Sequence, residues 1–158
     1  MIANYLDMLS ESLEKKLSIL IKIEEQNKHQ ESILKQSQVP FEEFEQTVDI
    51  KAELASELIA LDEGFEKLYD RIREELLTDK EKYKNQILKL KKLIAKVTEK
   101  SIAIQAQEAR NKQLAETFFL NEKRNIKSNK KNSAAAYNYY KNMSKGNVVL
   151  PQYMDKKK

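Results

Sequence analysis

Apolar residues recur at alternating steps of four and three through the middle of the chain. They are Leu54, Leu58, Leu61, Phe65, Leu68 and Ile72. This spacing is the heptad seam of a helix that packs lengthwise against other helices. The chain also has only two glycines and two prolines among 158 residues, so it encodes few turns. Together these features predict an all-α protein made of a few long helices.

The same periodicity predicts three helices, at residues 2–36, 40–77 and 79–120. The first carries a leucine stripe at helical spacing, formed by Leu6, Leu9, Leu13, Leu17 and Leu20. Pro40 fits the first turn of the second helix, where Glu42 and Glu43 face its positive end. The predicted fold is an elongated antiparallel three-helix bundle, or coiled-coil hairpin.

A turn between the second and third helices is predicted from a break in the heptad phase. The seam ends at Ile72 and resumes in another phase at Tyr83. Thr78 and Glu81 have the spacing of a capping box, which predicts a tight turn at 77–79 and a helix beginning near Asp79. The alternative is one continuous helix of more than 80 residues, roughly 120 Å long.

Gly64 interrupts the second helix, where a glycine costs about 1 kcal/mol relative to alanine. It is either a tolerated surface residue or the site of a close helix approach or bend. We take the second reading as the prediction.

Charge divides the chain into two predicted parts. Residues 121–158 hold ten Lys or Arg against two acids, whereas residues 1–120 hold 19 basic against 23 acidic side chains. We therefore predict a helical bundle over 1–120 and a basic, mostly disordered and flexible C-terminal tail over 121–158.

The chain lacks the residues that zinc sites, catalytic sites and membrane spans require. With no cysteine and a single histidine, His29, in a polar stretch, the chain offers neither a zinc site nor a catalytic constellation. The densest apolar run, Leu17–Ile23, contains Ser18 and Lys22, so no membrane span is expected. We expect a cytoplasmic protein that is not an enzyme, has no cofactor or metal, and does not insert into membranes. Tail lysines and tyrosines could contact single-stranded nucleic acid, but a nucleic-acid partner is not expected.

The late part of the third helix has a weak apolar stripe, because Ser101, Glu108 and Asn111 occupy seam positions. This pattern predicts an exposed or exchangeable face. A client helix could complete the bundle by laying its apolar face into the groove of the three helices. The candidate client-binding residues are Ile102, Ile104, Leu114, Phe118 and Phe119. The alternative use of these residues is self-association, as in a homodimer.

Two blocks of sequence resemble the flagellar type III export chaperones of the FlgN kind. The first block comprises Lys51–Leu54, Leu58, Leu61–Phe65, Leu68 and Arg71–Leu76, and the second comprises Ala136-Tyr137 and the terminal Met154–Lys158. The layout of a leading helix, a long hairpin and a basic tail covers nearly the whole chain. The sister family that serves the filament cap, the FliT kind, has a similar layout and is not separated on these residues.

The resemblance implies a cytosolic carrier of helical clients. Such chaperones bind helical terminal segments of hook–filament junction proteins and deliver them to the cytosolic domain of the large export-gate membrane component. A tyrosine near the C-terminus takes part in that docking in the family, and the candidates here are Tyr137, Tyr139 and Tyr140. The alternative function is a structural coiled-coil scaffold, or a self-associating helical protein without a client.

Overall fold

The computed structural model describes residues 2–125 and folds them into three helices. They are α1 (Ile2–Leu34), α2 (Phe41–Thr78) and α3 (Lys84–Asn125), and α1 packs against both of the others. Their 33, 38 and 42 residues correspond to lengths of about 50, 57 and 63 Å at 1.5 Å per residue. The prediction of an all-α three-helix bundle is confirmed.

Helices α1 and α3 run parallel to each other. Near the start of both helices, Gln86 Nε2 donates to the Ala3 carbonyl at 3.1 Å. Further along, Asn111 Nδ2 donates to the Asn27 carbonyl at 2.9 Å. These pairs are separated by 83 and 84 residues respectively, so the register is constant over some 24 residues of α1.

Helix α2 runs antiparallel to both of its neighbours. Its later part meets the early part of α1, where Lys16 Nζ lies 2.6 Å from Asp62 Oδ1. Its first turn meets the last turns of α3, where the rings of Phe41 and Phe118 stack with centroids 6.2 Å apart. The bundle is therefore an up-down-up arrangement.

Each helix contributes an unbroken heptad seam, but polar residues occupy some seam positions. In α1 the buried seam is Leu6, Leu9, Leu13, Lys16, Leu20, Ile23, Asn27, Gln30 and Leu34. In α2 the seam begins with buried Phe44, Thr47 and Lys51 before it reaches the apolar run from Leu54 to Ile72. Seam positions are the a and d positions of the heptad, and side chains there face the partner helices whatever their polarity. These polar groups are therefore buried inside the bundle.

The apolar interior has two parts. The main core spans most of the bundle and includes Leu6, Leu20, Leu58, Phe65 and Val97. The second part, here called the distal cluster, comprises Ile33, Leu34, Phe44, Val48, Ala115, Phe118 and Phe119, with Val39, Phe41 and Leu114 packed against it.

The connection between α2 and α3 is a turn, as predicted, but the predicted capping box is wrong. The Thr78 hydroxyl donates to the Glu74 carbonyl at 2.8 Å, so Thr78 ends α2. The Asp79 N–H continues the pattern by donating to the Glu75 carbonyl at 3.0 Å. Residues 79–83 form the turn, and α3 begins at Lys84, five residues later than predicted.

The other helix boundaries differ from the predictions by a few residues. Pro40 is the N-cap of α2 rather than a residue of its first turn, with φ −73° and ψ 97°, whereas Glu42 and Glu43 do lie in that turn. Helix α3 continues through the predicted bundle–tail boundary at 120/121 and reaches Asn125. The rest of the predicted tail lies outside the described residues.

The prediction of a close helix approach at Gly64 is wrong. A Cβ built on Gly64 would meet no atom within 4 Å, and the residue lies on the exposed side of α2. It is therefore a tolerated surface glycine and not a point of close approach. His29 is exposed.

Candidate interaction site at the distal end of the bundle

The distal end of the bundle is the end at which α1 stops, α2 starts and α3 stops. Four aromatic rings meet there, two from α2 and two from α3. Phe44 lies with its centroid 6.3 Å from that of Phe118 and 6.0 Å from that of Phe119, the latter edge-on. Phe118 and Phe119 contact each other at 5.2 Å. Aromatic pairs at these separations are favourable beyond the area they bury, so the rings are the main apolar contact between α2 and α3 at this end.

A layer of polar side chains, buried except for the half-buried Glu108, separates the distal cluster from the main core. This polar layer is formed by Asn27, Gln30, Thr47, Lys51, Gln107, Glu108 and Asn111, and thus draws on all three helices. Gln30 lies at its centre. Its amide donates to Thr47 Oγ1 at 2.9 Å, and its carbonyl oxygen accepts from Lys51 at 3.1 Å and from Asn111 at 3.2 Å.

Lys51 carries a charge into this layer. Its side chain is 0% exposed, and its Nζ lies 2.8 Å from Glu108 Oε1. Burial lowers the pKa of Lys51 below the ordinary value of 10.5, and the neighbouring Glu108 carboxylate opposes that shift by favouring the ammonium form. The net direction is downward, so desolvation outweighs the ion pair.

A second buried lysine lies in the main core. Lys16 Nζ pairs with Asp62 Oδ1, and the two side chains are 2% and 17% exposed. Desolvation again lowers the pKa of the lysine, while the charge and hydrogen bond of Asp62 act in the opposite direction. The bundle therefore holds two ion pairs that join α2 to its neighbours.

The polar layer holds the helices in register but stabilises the distal end less than an apolar layer would. A buried ion pair contributes little net stability because each charge loses its hydration. In addition, Asn27 Oδ1 has no hydrogen-bond partner among the described residues, and an unsatisfied buried acceptor costs about 1–3 kcal/mol. The distal end therefore has its own small core and a weak connection to the main core. Parts of a protein built in this way open locally at a lower free energy than global unfolding requires.

The predicted client-binding residues do not form one exposed face. Ile104 is fully buried in the main core, and Phe118 and Phe119 are each only 9% exposed in the distal cluster. Leu114 packs partly buried against the same cluster, and Ile102 alone is exposed, at 58%. Ile104, Phe118 and Phe119 therefore do not lie on an exposed face, because α3 keeps its heptad phase and turns them inward. Their role in client binding stays a prediction.

The late α3 face was expected to be exposed or exchangeable; its polar seam positions are not exposed, and its exchange with a client stays a prediction. Ser101 and Asn111 are buried at 0% and 1% exposure. Asn111 donates to Asn27 and Gln30 of α1, whereas the Ser101 hydroxyl has no hydrogen-bond partner among the described residues. The candidate docking residues Tyr137, Tyr139 and Tyr140 lie outside the described residues.

Sequence reasoning missed the polar layer, although a signal for it was present. The nearly all-polar stretch of α1 and the polar seam positions of α3 fall at the same level of the bundle once the parallel register is known. Lys51 occupies the matching heptad position of α2 between Phe44 and Leu58. When the seams of all three helices are polar at the same level, the polar side chains can bind one another, and this pattern indicates a buried layer rather than three exposed faces.

The outer side of α3 carries a separate apolar line. Leu88, Ala95, Ile102 and Ala109 follow one another at seven-residue spacing, and all four are exposed. Leu88 is 46% and Ile102 58% exposed. A line at this spacing lies along one side of a helix, so it offers a narrow strip of apolar contact to another helix.

A shallow cleft at the α2–α3 turn is lined by residues 81–86, so it gathers side chains from a single segment. Within residues 2–125, no group of three or more acidic, His or Cys side chains could hold a metal ion. None of the three described helices combines the length and apolarity needed to cross a bilayer.

Comparisons of the chain with models of protein families, with curated proteins and with solved structures find no match.

Proposed function

We propose that the chain is a flagellar export chaperone that binds a helical terminal segment of a hook–filament junction protein and delivers it to the export gate. The observation that supports the proposal most is the aromatic distal cluster, which is separated from the main core by the polar layer. A client helix needs an apolar surface that can be uncovered without unfolding the bundle, and the distal end has this construction. The sequence resemblance described above supports the choice of client.

The client helix takes the place of the last turns of α3 against α1 and α2, or packs between them. In either arrangement it contacts Phe44 and the side chains of Phe118 and Phe119, which are released from their internal partners. Anchors at positions i, i+3, i+4 and i+7 of an amphipathic helix fit such a groove. Because the binding-competent form is only a fraction of the free protein, the apparent affinity is reduced by that fraction.

Delivery belongs to the C-terminal tail. Tyr137, Tyr139 and Tyr140 are the residues that dock to the cytosolic domain of the export-gate component, as the resemblance implies. Client capture and gate docking would then use different parts of the chain, the distal cluster and the tail.

Calorimetry with a client peptide tests the proposal. A double variant, Phe118→Ala with Phe119→Ala, should weaken binding at least 30-fold, since lost aromatic anchors cost about 2 kcal/mol or more. The variant also loses core packing, so Leu58→Ala in the main core serves as a control of comparable destabilisation. Leu120→Ala, next to the pair but 60% exposed, is the control for local sequence change. Equal affinities in all three variants would overturn the proposal.

Self-association without a client is the second candidate function. The exposed line of Leu88, Ala95, Ile102 and Ala109 favours it, because small residues let another helix approach closely. Light scattering of the full chain is the test. A dimer that Ile102→Glu converts to a monomer supports this function, and a monomeric wild-type chain at high concentration rejects it.

A further inference from the structure

The first part of α2 is strongly acidic on its surface. From Phe41 to Glu66 the helix carries nine acidic side chains against one basic one, Lys51. Lys51 is fully buried and paired with Glu108, so it does not neutralise the surface. The solvent side of this part of α2 therefore presents negative charge alone.

One face of this segment combines charge with an exposed apolar side chain. Ile50 is 41% exposed. It is surrounded by residues three, four or seven positions away along the helix, namely Glu43, Gln46, Glu53 and Glu57. All four are exposed. Residues so spaced lie on the same side of a helix. We call these five residues the acidic face.

The carboxylates of the acidic face have no cation beside them in the bundle. Within residues 2–123, whose side chains are described, Glu43, Glu53 and Glu57 form no ion pair. Neighbouring like charges on one helix face repel each other, so a cation placed there lowers the free energy of the folded chain.

The chain beyond α3 has the complementary composition. Residues 126–158 contain eight lysines and one acid, Asp155. Two groups of lysines, Lys127 to Lys131 and Lys141 to Lys145, flank Tyr137, Tyr139 and Tyr140. In the tail, lysines flank the tyrosines on both sides. On the acidic face, glutamates flank Ile50 on both sides, so the two patterns are complementary.

The last turns of α3 lie beside the acidic end of α2, within reach of the segment that follows them. Phe118 stacks on Phe41 at 6.2 Å, and α3 then continues for seven more residues, about 10 Å. Lys131 is six residues beyond Asn125, which gives a reach of up to about 20 Å. The lysines can therefore return to the level of Glu43. From Glu43 to Glu57 the face extends about 21 Å, and the ten residue steps from Lys131 to Lys141 can span it.

We propose that residues 127–145 dock on the acidic face of α2 in the same chain. The lysines pair with Glu43, Glu53 and Glu57, and the tyrosines cover Ile50. Exposed ion pairs are individually weak and are screened by salt, so the docking is reversible and depends on ionic strength. The tether raises the effective concentration of the segment to the millimolar range, which favours this chain's own tail over a free basic peptide. The inference concerns this chain alone and stands independently of the proposed function.

Energy transfer within the full chain tests the docking. Cysteines at Ser56 on α2 and Ser144 in the tail can be labelled cleanly, because the chain has none of its own. Transfer should be high at about 0.01 M salt and fall at about 1 M, as the Debye length shortens from about 30 to about 3 Å.

Two variants that each remove three carboxylates from α2 distinguish docking on the acidic face from non-specific attraction of the tail to the acidic bundle. Glu43→Gln, Glu53→Gln and Glu57→Gln together should abolish the salt-dependent part of the transfer. The control, Asp70→Asn with Glu74→Gln and Glu75→Gln, removes three exposed charges at the other end of α2 and should retain it. Equal transfer in both variants would overturn the proposal. So would transfer that disappears when excess unlabelled protein is added, since the tail would then dock on a second copy.

Discussion

Lys51 of α2 and Glu108 of α3 form an ion pair inside the bundle, with Nζ 2.8 Å from Oε1 and the lysine side chain fully shielded from solvent. Gln30 of α1 also contacts Lys51 Nζ, at 3.1 Å, so one buried cation joins all three helices at a single level. This level is also where the apolar interior divides into the main core and the distal cluster. The pair therefore fixes the register of the bundle and limits the stability of its distal end.

Removing one member of the pair should be costly, whereas replacing both should not. Lys51→Ala leaves the Glu108 carboxylate without its cation and opens a cavity, so we expect a loss of about 3–5 kcal/mol. Lys51→Met combined with Glu108→Leu removes both charges and fills the space, which in comparable cases stabilises by about 1–4 kcal/mol. Urea unfolding of the three proteins measures both effects. A double variant less stable than Lys51→Ala would contradict this assignment of the ion pair.

The pH dependence of stability should report the buried lysine. Because burial lowers the pKa of Lys51 below 10.5, the unfolded chain binds more protons than the folded chain between the lowered pKa and 10.5. The free energy of unfolding contributed by this residue therefore rises with pH in that window. Lys51→Met removes the effect, so the stability of wild type relative to this variant should increase as pH rises towards 10.5. Lys67→Met, at an exposed position of the same helix, is the control for the change from lysine to methionine.

Gly64→Ala should stabilise the protein by about 1 kcal/mol. The added Cβ meets no atom within 4 Å, so only the gain in helix propensity remains. The reverse change at a nearby exposed position, Ala60→Gly, should destabilise by a similar amount. Thermal or chemical unfolding of both variants checks the prediction, and a destabilised Gly64→Ala protein would mean that this side of α2 is covered in solution.

The sequence predicted the helices well because their signals are local. The heptad run from Leu54 to Ile72, the scarcity of glycine and proline, and the phase break before Tyr83 each depend on residues close together in the chain. The main error at a helix end arose because threonine can cap the start of a helix or bond back to the helix that it ends. Thr78 has the spacing of an N-cap with Glu81, but its hydroxyl instead donates to Glu74 within α2.

The candidate site was less predictable because it depends on partners distant in sequence. Asn111 and Gln30 are both polar, and each alone indicates an exposed position. They become buried because the parallel register of α1 and α3 brings them to 3.2 Å of each other. Gly64 illustrates the opposite case, since a glycine within a helix does not reveal whether a neighbour approaches it.

We propose that the distal end of the bundle opens to bind a helical client. Hydrogen exchange of the full chain, with and without a peptide from the helical terminal segment of a hook–filament junction protein, tests it most directly. We expect faster exchange in residues 107–123 than in 54–72 for the free protein, because the polar layer lets the distal end open separately. Adding the peptide should change exchange in 33–48 and 107–123 and leave 54–72 unchanged. Absence of binding, or changes confined to the outer side of α3 around Leu88 and Ile102, would show that the distal end is not the client-binding site.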